Sequence, residues 1–259
     1  PIIAAIGLSQ NKFSASDDFG NSGKRWQKNK SWGGYYVTTL HDYSGHNVRN
    51  ALIYSDNIYF AKAALKIGKD TLKDQFDNLL FGKNLDFTFG LTASSYGNEG
   101  FTSEIQLADS GYGQGEMMVN PVHMATIYTA FSNKGNMLKP YLIKQKGSKK
   151  QVLKEHVFSN DAVKTVNDAM KQVISNPNGT GHAAQIDGID LKGKTGTAEI
   201  KQSQTDTKGT ELGWFVTIMP KTEYKESLEL VSMTEDVKKR GGSGYVVNKT
   251  KKILEEYLQ

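Results

Sequence analysis

Gly193-Lys194-Thr195-Gly196-Thr197-Ala198-Glu199 lies between an apolar run that ends at Leu191 and a second apolar run at residues 214–219. Two β-compatible runs around a polar, turn-rich gap (residues 202–211) predict a hairpin whose first strand contains this stretch. A glycine within a strand usually marks a close approach of a ligand or another backbone. The lysine and threonines beside Gly196 offer a positive charge, hydroxyl donors and N–H groups, as an anionic carboxylate requires. The Lys194-Thr195-Gly196 motif is short, and a polar edge strand with a solvated lysine could have the same sequence.

The composition indicates a globular protein. Its 259 residues are 37% hydrophobic, which is enough for one large core or two modest domains. The formal net charge is +5, but the lysines are scattered and no helix combines them with aromatics, so no nucleic-acid partner is expected. The chain has no cysteine, which excludes disulfides, a thiol nucleophile and cysteine-ligated metals. The five histidines lack metal-ligand spacing, so we expect no metal and no cofactor.

Hydrophobic periodicity predicts helices before and after the hairpin. They are expected at residues 1–8, 48–51, 58–67, 120–135, 160–176 and 246–258. We expect a surface loop at residues 9–32, a short strand at 33–39 and a third long strand at 228–233. Strands clustered near the C-terminal end, with helices before and after them, predict an α+β fold with an antiparallel sheet flanked by helices.

Ser55-Asp56-Asn57 is a second segment with chemical potential, because it interrupts two helical stretches. In a loop between helices, a serine and an asparagine two residues apart can point into one cleft. The serine can relay a proton, and the amide can donate to and accept from a peptide group. The same residue types also make good helix N-caps. The segment alone therefore leaves a catalytic and a capping interpretation open.

Ser55-Asp56-Asn57 and Lys194-Thr195-Gly196 are more informative together than alone. S-x-x-K, S-D-N and K-T-G form the signature set of serine β-lactamases and penicillin-binding proteins. Five segments in order along the chain resemble class B penicillin-binding proteins: residues 55–61, 107–116, 120–122, 194–199 and 213–215. Residues 26–28 and 30–35 are most similar to the low-affinity branch of Gram-positive bacteria, which includes the methicillin-resistance transpeptidase. The resemblance covers nearly the whole chain and implies the penicillin-binding/serine β-lactamase-like fold.

The nucleophile of this family is the serine of S-x-x-K, at the start of a buried helix. In this branch, that motif is followed directly by a stretch like residues 1–8. The resemblance implies that the nucleophile lies upstream of Pro1, and that residues 1–259 are the C-terminal part of a transpeptidase domain without its first strands. Ser9-Gln10-Asn11-Lys12 also fits S-x-x-K, but it follows the apolar helix, and a solvated lysine is a poor base. We expect the chain alone to be inactive.

The resemblance implies acyl transfer on a peptidoglycan stem peptide ending in D-Ala-D-Ala, through a serine acyl-enzyme. Ser55 would pass a proton to the leaving nitrogen, Asn57 would hold the acyl-side amide, and Lys194 would tune the serine relay. The backbone N–H of Thr197 would form half of the oxyanion hole. The implied substrate-binding residues are Thr195, Gly196, Thr197 and Gln114, of which the two threonines bind the carboxylate. β-Lactams would acylate the same serine.

Two alternatives on the same fold remain open. A serine β-lactamase would need an acidic residue that activates a deacylating water, and the chain has no segment of the E-x-x-L-N type. A β-lactam sensor domain usually has Ser-x-Val in place of Ser-x-Asn, so Asn57 argues against it.

The expected partners are peptidoglycan stem peptides, β-lactam antibiotics and a lipid-linked glycosyltransferase. No run of about 18 apolar residues is present. We therefore expect membrane attachment only through an N-terminal anchor outside these residues, which would place the domain at the extracytoplasmic face of the cell membrane.

Overall fold

The computed structural model describes residues 1–20, 23–143, 149–200 and 209–259. The chain divides into two compact units. Unit 1 is Pro1–Ala51 with Asp56–Val166, and unit 2 is Leu52–Ser55 with Asn167–Gln259. The assignment of residues 1–259 to one transpeptidase domain stays a prediction.

Unit 1 is mostly helical. Its helices are α1 (Ile2–Ser9), α2 (Val48–Ile53), α3 (Asn57–Ile67), α4 (Lys69–Asn78), α5 (Glu104–Ser110), α6 (Pro121–Ser132) and the first part of α7 (Asn160–Ser175). The end of α2 and the second part of α7 belong to unit 2. Two short antiparallel ladders accompany these helices, namely β1 (Arg25–Trp26) with β2 (Val37–Thr38), and β3 (Met137–Leu138) with β4 (Val152–Lys154).

Local signals explain where the predicted helices begin. In α6, the Asn120 side chain accepts the Val122 N–H (2.9 Å), and Pro121 occupies a position where no N–H partner is needed. In α3, the Asp56 Oδ1 accepts the N–H of Ile58 (2.8 Å) in the same way. The helices expected at residues 1–8, 48–51, 58–67, 120–135 and 160–176 are all confirmed, with ends that differ by a few residues.

Unit 1 also contains elements that the sequence does not predict. Helix α4 is not predicted, because its sequence is polar and its buried residues are Leu72 and Phe76, one helical turn apart. The expected loop at residues 9–32 is wrong in its last part, where β1 and a 3₁₀ turn (Lys30–Trp32) form. Asn29 caps this turn by accepting the Ser31 N–H (2.8 Å), and Trp32 is buried. Packing of Trp32 against residues far away in the sequence, such as Ile58 and Ala108, thus orders a segment with the composition of a loop.

A hydrophobic cluster joins β2, α3 and α5 within unit 1. Its buried members are Trp32, Val37, Ile58, Ala61 and Ala108, and the partly buried members are Trp26, Tyr35, Leu65, Ile105 and Tyr112. Helix α5 closely approaches α3, because a Cβ on Gly111 would lie 2.2 Å from the carbonyl oxygen of Phe60. Only a glycine fits at this crossing, so the two helices form a tightly packed pair.

Unit 2 is built on a three-stranded antiparallel sheet in the order β5 (Lys192–Ile200), β6 (Thr210–Met219) and β7 (Leu228–Thr234). The predicted hairpin and third strand are therefore confirmed. Most of the expected turn-rich gap, residues 202–208, lies outside the described residues, and its end belongs to β6. Helix α8 (Ser243–Leu258) packs on one face of the sheet. The core between them contains Phe215, Met219, Val246, Val247 and Leu254.

The strand register decides which side each residue of β5 faces. Gly196 pairs with Trp214, and Thr197 pairs with Gly213. A Cβ on Gly213 would lie 2.7 Å from Cγ2 of Val246 in α8. Because side chains alternate along a strand, Thr195 and Thr197 lie on the α8 side, and Lys194 and Gly196 lie on the opposite side. The elements together form the predicted α+β fold with an antiparallel sheet.

Candidate active site

Lys194 and Ser55 form a direct hydrogen bond within unit 2. The Lys194 Nζ donates to Ser55 Oγ (2.7 Å) and to the carbonyl oxygen of Thr195 (2.8 Å). The two side chains come from positions 139 residues apart in the sequence. The structure thus brings together the serine of S-D-N and the lysine of K-T-G, while their catalytic roles stay predictions.

Ser55 holds an unusual backbone conformation. Its φ is 54°, in the left-handed region that few residues other than glycine adopt. Its N–H donates to the carbonyl oxygen of Leu52 (3.3 Å). Such strained residues persist only where the surroundings enforce them, and they concentrate at functional sites. The strain at Ser55 is therefore consistent with a side chain held for chemistry.

Burial lowers the pKa of the Lys194 ammonium to about 7. Removal from water disfavours the charged form of an amine. Near neutral pH, the ammonium and the neutral amine are therefore both populated. The neutral Nζ can accept a proton from the Ser55 hydroxyl, and the ammonium can return it. The pair is suited to relay protons.

Thr195 has a different environment from the one its predicted role requires. It is 6% exposed, and its hydroxyl donates to Thr180 Oγ1 (2.7 Å). The Thr180 N–H in turn donates to the carbonyl oxygen of Ile53 (3.2 Å). A substrate carboxylate would have to compete with Thr180 for the Thr195 hydroxyl. Sequence reasoning missed Thr180, since no motif connects it with the strand that it contacts.

The glycines near this strand differ in what requires them. A Cβ on Gly193 would lie 3.0 Å from Phe215 Cε2, and a Cβ on Gly213 would lie 2.7 Å from a Val246 methyl, so internal packing demands glycine at both. A Cβ on Gly196 would meet only Trp214 Cβ at 3.4 Å, an ordinary contact. Packing does not explain Gly196, which leaves the approach of a ligand backbone as its predicted reason.

Thr197, which the sequence assigns to substrate binding, is exposed on the α8 side of the sheet. A Cβ on Gly242, the N-cap residue of α8, would lie 3.8 Å from Thr197 Oγ1. The N-terminus of a helix carries partial positive charge. The same Cβ position on Gly242 would lie 3.9 Å from Glu211 Oε2, so a carboxylate of the protein itself is already close to this helix end.

In unit 1, the contacts of Asp56 show which residue of the S-D-N segment caps helix α3. Asp56 is fully buried, and its carboxylate accepts the N–H groups of Ile58 (2.8 Å) and Tyr59 (3.2 Å) and the hydroxyl of Tyr43 (2.7 Å). The capping role therefore belongs to Asp56. Because Asp56 caps the helix, neither Ser55 nor Asn57 is needed as the cap.

The Asn57 side chain is oriented by the neighbouring strand β2. Its Nδ2 donates to the carbonyl oxygen of Thr38 (3.0 Å). Asn57 is also the first residue of α3. One hydrogen bond and the helix start thus fix the direction of the amide that is predicted to hold substrate.

Gln114 lies in a turn between Gly113 and Gly115, both of which have positive φ. Its N–H donates to the carbonyl oxygen of Asp109 (3.0 Å) at the end of α5. The turn is therefore held by backbone bonding to α5, while the predicted substrate contact of the Gln114 side chain stays a prediction.

Ser9, which belongs to the segment that formally fits S-x-x-K, is the last residue of α1. Its Oγ accepts the N–H of Ser159 (2.9 Å). This bond ties the helix end to the chain just before α7. A structural role for Ser9 accords with the expectation that it is not the nucleophile.

Comparison with known proteins identifies the family to which this arrangement belongs. Residues 1–255 match the family model described as the penicillin binding protein transpeptidase domain. The chain belongs to this family. The resemblance to the transpeptidase domain of class B penicillin-binding proteins is confirmed. Membership of the low-affinity branch stays a prediction.

Two curated relatives illustrate how much of a longer protein the chain covers. Penicillin-binding protein 3 of Bacillus subtilis (strain 168) is 41% identical over 254 residues, which are 97% of this chain and 37% of that protein. Penicillin-binding protein 1A/1B of the same strain is 30% identical over 185 residues, which are 67% of this chain and 18% of that protein. The chain therefore spans well under half the length of these relatives.

Two solved structures share the fold. The TP domain of Burkholderia pseudomallei penicillin-binding protein 3 has a TM-score of 0.81 at 18% identity, over 98% of this chain and 77% of that one. The D,D-transpeptidase domain of a peptidoglycan glycosyltransferase from Eggerthella lenta has a TM-score of 0.77 at 24% identity, over 98% and 62%. These likenesses confirm the predicted penicillin-binding fold.

Two kinds of feature are not found in the described part of the chain. Among residues 1–20, 23–143, 149–200 and 209–259, no group of three histidine or acidic side chains is arranged to hold a metal ion. No helix of these same segments combines the length and the apolar composition needed to cross a membrane.

Proposed function

We propose that the chain is the C-terminal portion of the transpeptidase domain of a peptidoglycan D,D-transpeptidase. The observation that carries this proposal is the 2.7 Å hydrogen bond between the partly buried Lys194 and the strained Ser55. A lysine whose pKa lies near 7, on the strand that carries K-T-G, supplies a proton carrier where the family needs one. Family membership and the names of the relatives support the same activity.

The proposed reaction has two steps. A serine Oγ from an S-x-x-K motif upstream of Pro1 attacks the carbonyl carbon of the penultimate D-alanine, and the peptide bond to the last D-alanine breaks. That D-alanine leaves with a proton on its nitrogen. The amine of a neighbouring stem then attacks the acyl ester, forms the cross-link and returns the proton to the serine.

Each residue has a proposed role in these steps. Ser55 passes the proton to the leaving nitrogen, Lys194 sets the charge state of that relay, and Asn57 holds the amide on the acyl side. The N–H of Thr197 stabilises the oxyanion, and one such donor is worth about 3 kcal/mol. The substrate-binding residues are Thr195, Gly196, Thr197 and Gln114. Of these, Thr195 has to exchange its bond to Thr180 for one to the substrate.

The finer parts of the proposal concern the complete protein. β-Lactams acylate the same serine, with the low affinity typical of the branch that residues 26–28 and 30–35 resemble. An N-terminal anchor holds the domain at the extracytoplasmic face of the membrane, and a glycosyltransferase supplies the glycan strands. The chain without its upstream serine forms no covalent adduct.

The test uses the complete protein, which carries this chain together with its upstream segment. Its acylation by a fluorescent penicillin is measured in the wild type and in Ser55→Ala, Lys194→Met and Lys192→Met variants. Lys192 is the matched control, because it lies two residues away on the same face of β5 and its pKa is also lowered by burial.

We expect Ser55→Ala and Lys194→Met to slow acylation at least tenfold and Lys192→Met to change it less than twofold. Wild-type rates in the first two variants would contradict the proposed relay. The fate of the penicillin is followed in the same assay. Rapid release of hydrolysed penicillin would instead indicate a β-lactamase, whereas a long-lived adduct indicates a transpeptidase.

A further inference from the structure

Asp109 is a buried carboxylate to which the proposed reaction gives no role. It lies in the last turn of α5 and is 7% exposed. Its Oδ1 accepts the hydroxyls of Tyr35 (2.5 Å) and Tyr112 (2.5 Å). Burial raises the pKa of Asp109 even though both phenols favour its charged form. A buried acid is costly to retain, and the two phenol hydroxyls are the groups that this one holds in place.

Tyr35 connects Asp109 to the strand that orients Asn57. Two residues after Tyr35, β2 begins, and the carbonyl oxygen of Thr38 in that strand accepts the Asn57 Nδ2 hydrogen (3.0 Å). The Tyr35 carbonyl oxygen also accepts a hydrogen from Gln27 Nε2 (2.9 Å). A shift of Tyr35 would therefore move the carbonyl of Thr38, three residues further along the chain, which is the carbonyl that Asn57 contacts.

The position of Asn57, at the other end of this connection, is fixed by helix packing. Asn57 opens α3, and α5 crosses α3 so closely that a Cβ on Gly111 would lie 2.2 Å from the Phe60 carbonyl oxygen. Asp109 is two residues before that crossing. The α3–α5 pair therefore acts as a rigid frame. The hydrogen bond from Tyr35 to Asp109 attaches β2 to the same frame that carries Asn57.

Asp109 also holds the turn with the second predicted binding residue of unit 1. Its carbonyl oxygen accepts the N–H groups of Gln114 (3.0 Å) and Tyr112 (3.2 Å). The side chain and the main chain of one residue thus support the segments on which Asn57 and Gln114 depend.

We propose that Asp109, acting through the Tyr35 hydroxyl, is a positioning residue that sets the orientation of the Asn57 side-chain amide for substrate. This rests on the proposed function, because it takes Asn57 as the group that holds the acyl-side amide. The Asn57 amide is planar, so a bond from one Nδ2 hydrogen to Thr38 fixes the directions of Oδ1 and of the second hydrogen. When Tyr35 is released, Thr38 shifts and the amide loses that direction.

The test is a double-mutant cycle in the complete protein. The first-order acylation constant and the non-covalent dissociation constant for a fluorescent penicillin are measured separately. The variants are Tyr35→Phe, Asp109→Asn, Asn57→Ala and Tyr35→Phe with Asn57→Ala. Tyr96→Phe is the matched control, because the Tyr96 hydroxyl also donates to a carboxylate in unit 1, that of Asp77 (2.7 Å). Thermal unfolding identifies any variant that fails to fold.

We expect Tyr35→Phe and Asp109→Asn each to slow acylation about tenfold with little change in the dissociation constant, and Tyr96→Phe to change neither more than twofold. In the Asn57→Ala background, Tyr35→Phe should have no further effect, because the effects of residues that act through the same group are not additive. If Asp109→Asn does not fold, Tyr35→Phe alone decides.

Three outcomes oppose the inference in distinguishable ways. If Asn57→Ala slows acylation and Tyr35→Phe multiplies that loss, the positioning role fails and the proposed function stands. If Tyr35→Phe alone has the wild-type rate, the same conclusion follows. If Asn57→Ala itself has the wild-type rate, the role of Asn57 in the proposed function fails and the inference falls with it.

Discussion

Replacement of Lys194 by methionine should make the protein more stable while it impairs acylation. Methionine keeps most of the side-chain length and removes the charge. The unfolded lysine titrates near 10.5, but burial lowers the folded pKa to about 7. The unfolded chain therefore binds more protons between pH 7 and 10.5, and wild-type stability rises with pH across that window. Below pH 7, the penalty for the buried amine is largest.

The magnitude follows from the same shift. A pKa lowered from 10.5 to about 7 corresponds to roughly 4–5 kcal/mol of destabilisation in the protonated range. Methionine also loses the hydrogen bonds from Nζ to Ser55 and to the Thr195 carbonyl oxygen, each worth about 1 kcal/mol. We therefore expect Lys194→Met to gain about 2 kcal/mol at pH 7 and to lose this advantage by pH 10.5.

The measurement is urea denaturation of the wild type, Lys194→Met and Lys239→Met at pH 7 and pH 10. Lys239 is exposed in the same unit, so its replacement should change stability by less than about 0.5 kcal/mol at either pH. The reasoning is refuted if Lys194→Met is less stable than the wild type at pH 7. It is also refuted if the wild type gains no stability relative to Lys194→Met between pH 7 and pH 10.

Three further predictions concern Glu229, Asp56 and the glycines of strands β5 and β6. Burial raises the pKa of Glu229 to about 8, so wild-type stability falls as pH rises from about 4.5 to 8. Glu229→Gln should therefore melt higher than the wild type at pH 8 but not at pH 4, and equal melting at pH 8 would refute this. Asp56→Ala should lower the free energy of unfolding by about 3 kcal/mol in urea, because it removes a helix cap and the Tyr43 partner; a loss below 1 kcal/mol would contradict the capping role. Gly213→Ala should lower the melting temperature strongly and Gly196→Ala only slightly, while Gly196→Ala slows penicillin acylation; the reverse order of stabilities would count against our explanation of these glycines.

The predictable part of the fold is the part in which sequence pattern and packing agree. Strand β6 contains an apolar run, β7 alternates, and α6 begins at Asn120-Pro121, so these elements lie within a few residues of their expected bounds. Helix α4 was missed because only Leu72 and Phe76 are buried. The 3₁₀ turn that ends at Trp32 was missed because its order comes from long-range packing.

For the candidate site, the sequence predicts which residues belong to it but not the hydrogen bonds between them. The presence of both K-T-G and S-D-N in one chain predicts that Ser55 and Lys194 share a site, although 139 positions separate them in the sequence. No local pattern encodes the left-handed backbone of Ser55 or the bond from Thr195 to Thr180. The Tyr35–Asp109 bond likewise joins residues 74 positions apart, which only the folded chain brings together.

The most direct test of the account is to locate the acylated residue in the complete protein. The protein is treated with penicillin and digested, and the peptide that carries the added mass is sequenced by mass spectrometry. We predict one adduct, on the serine of an S-x-x-K motif upstream of Pro1, and none within residues 1–259. An adduct on Ser9 or Ser55 would contradict the assignment of the nucleophile and of the relay.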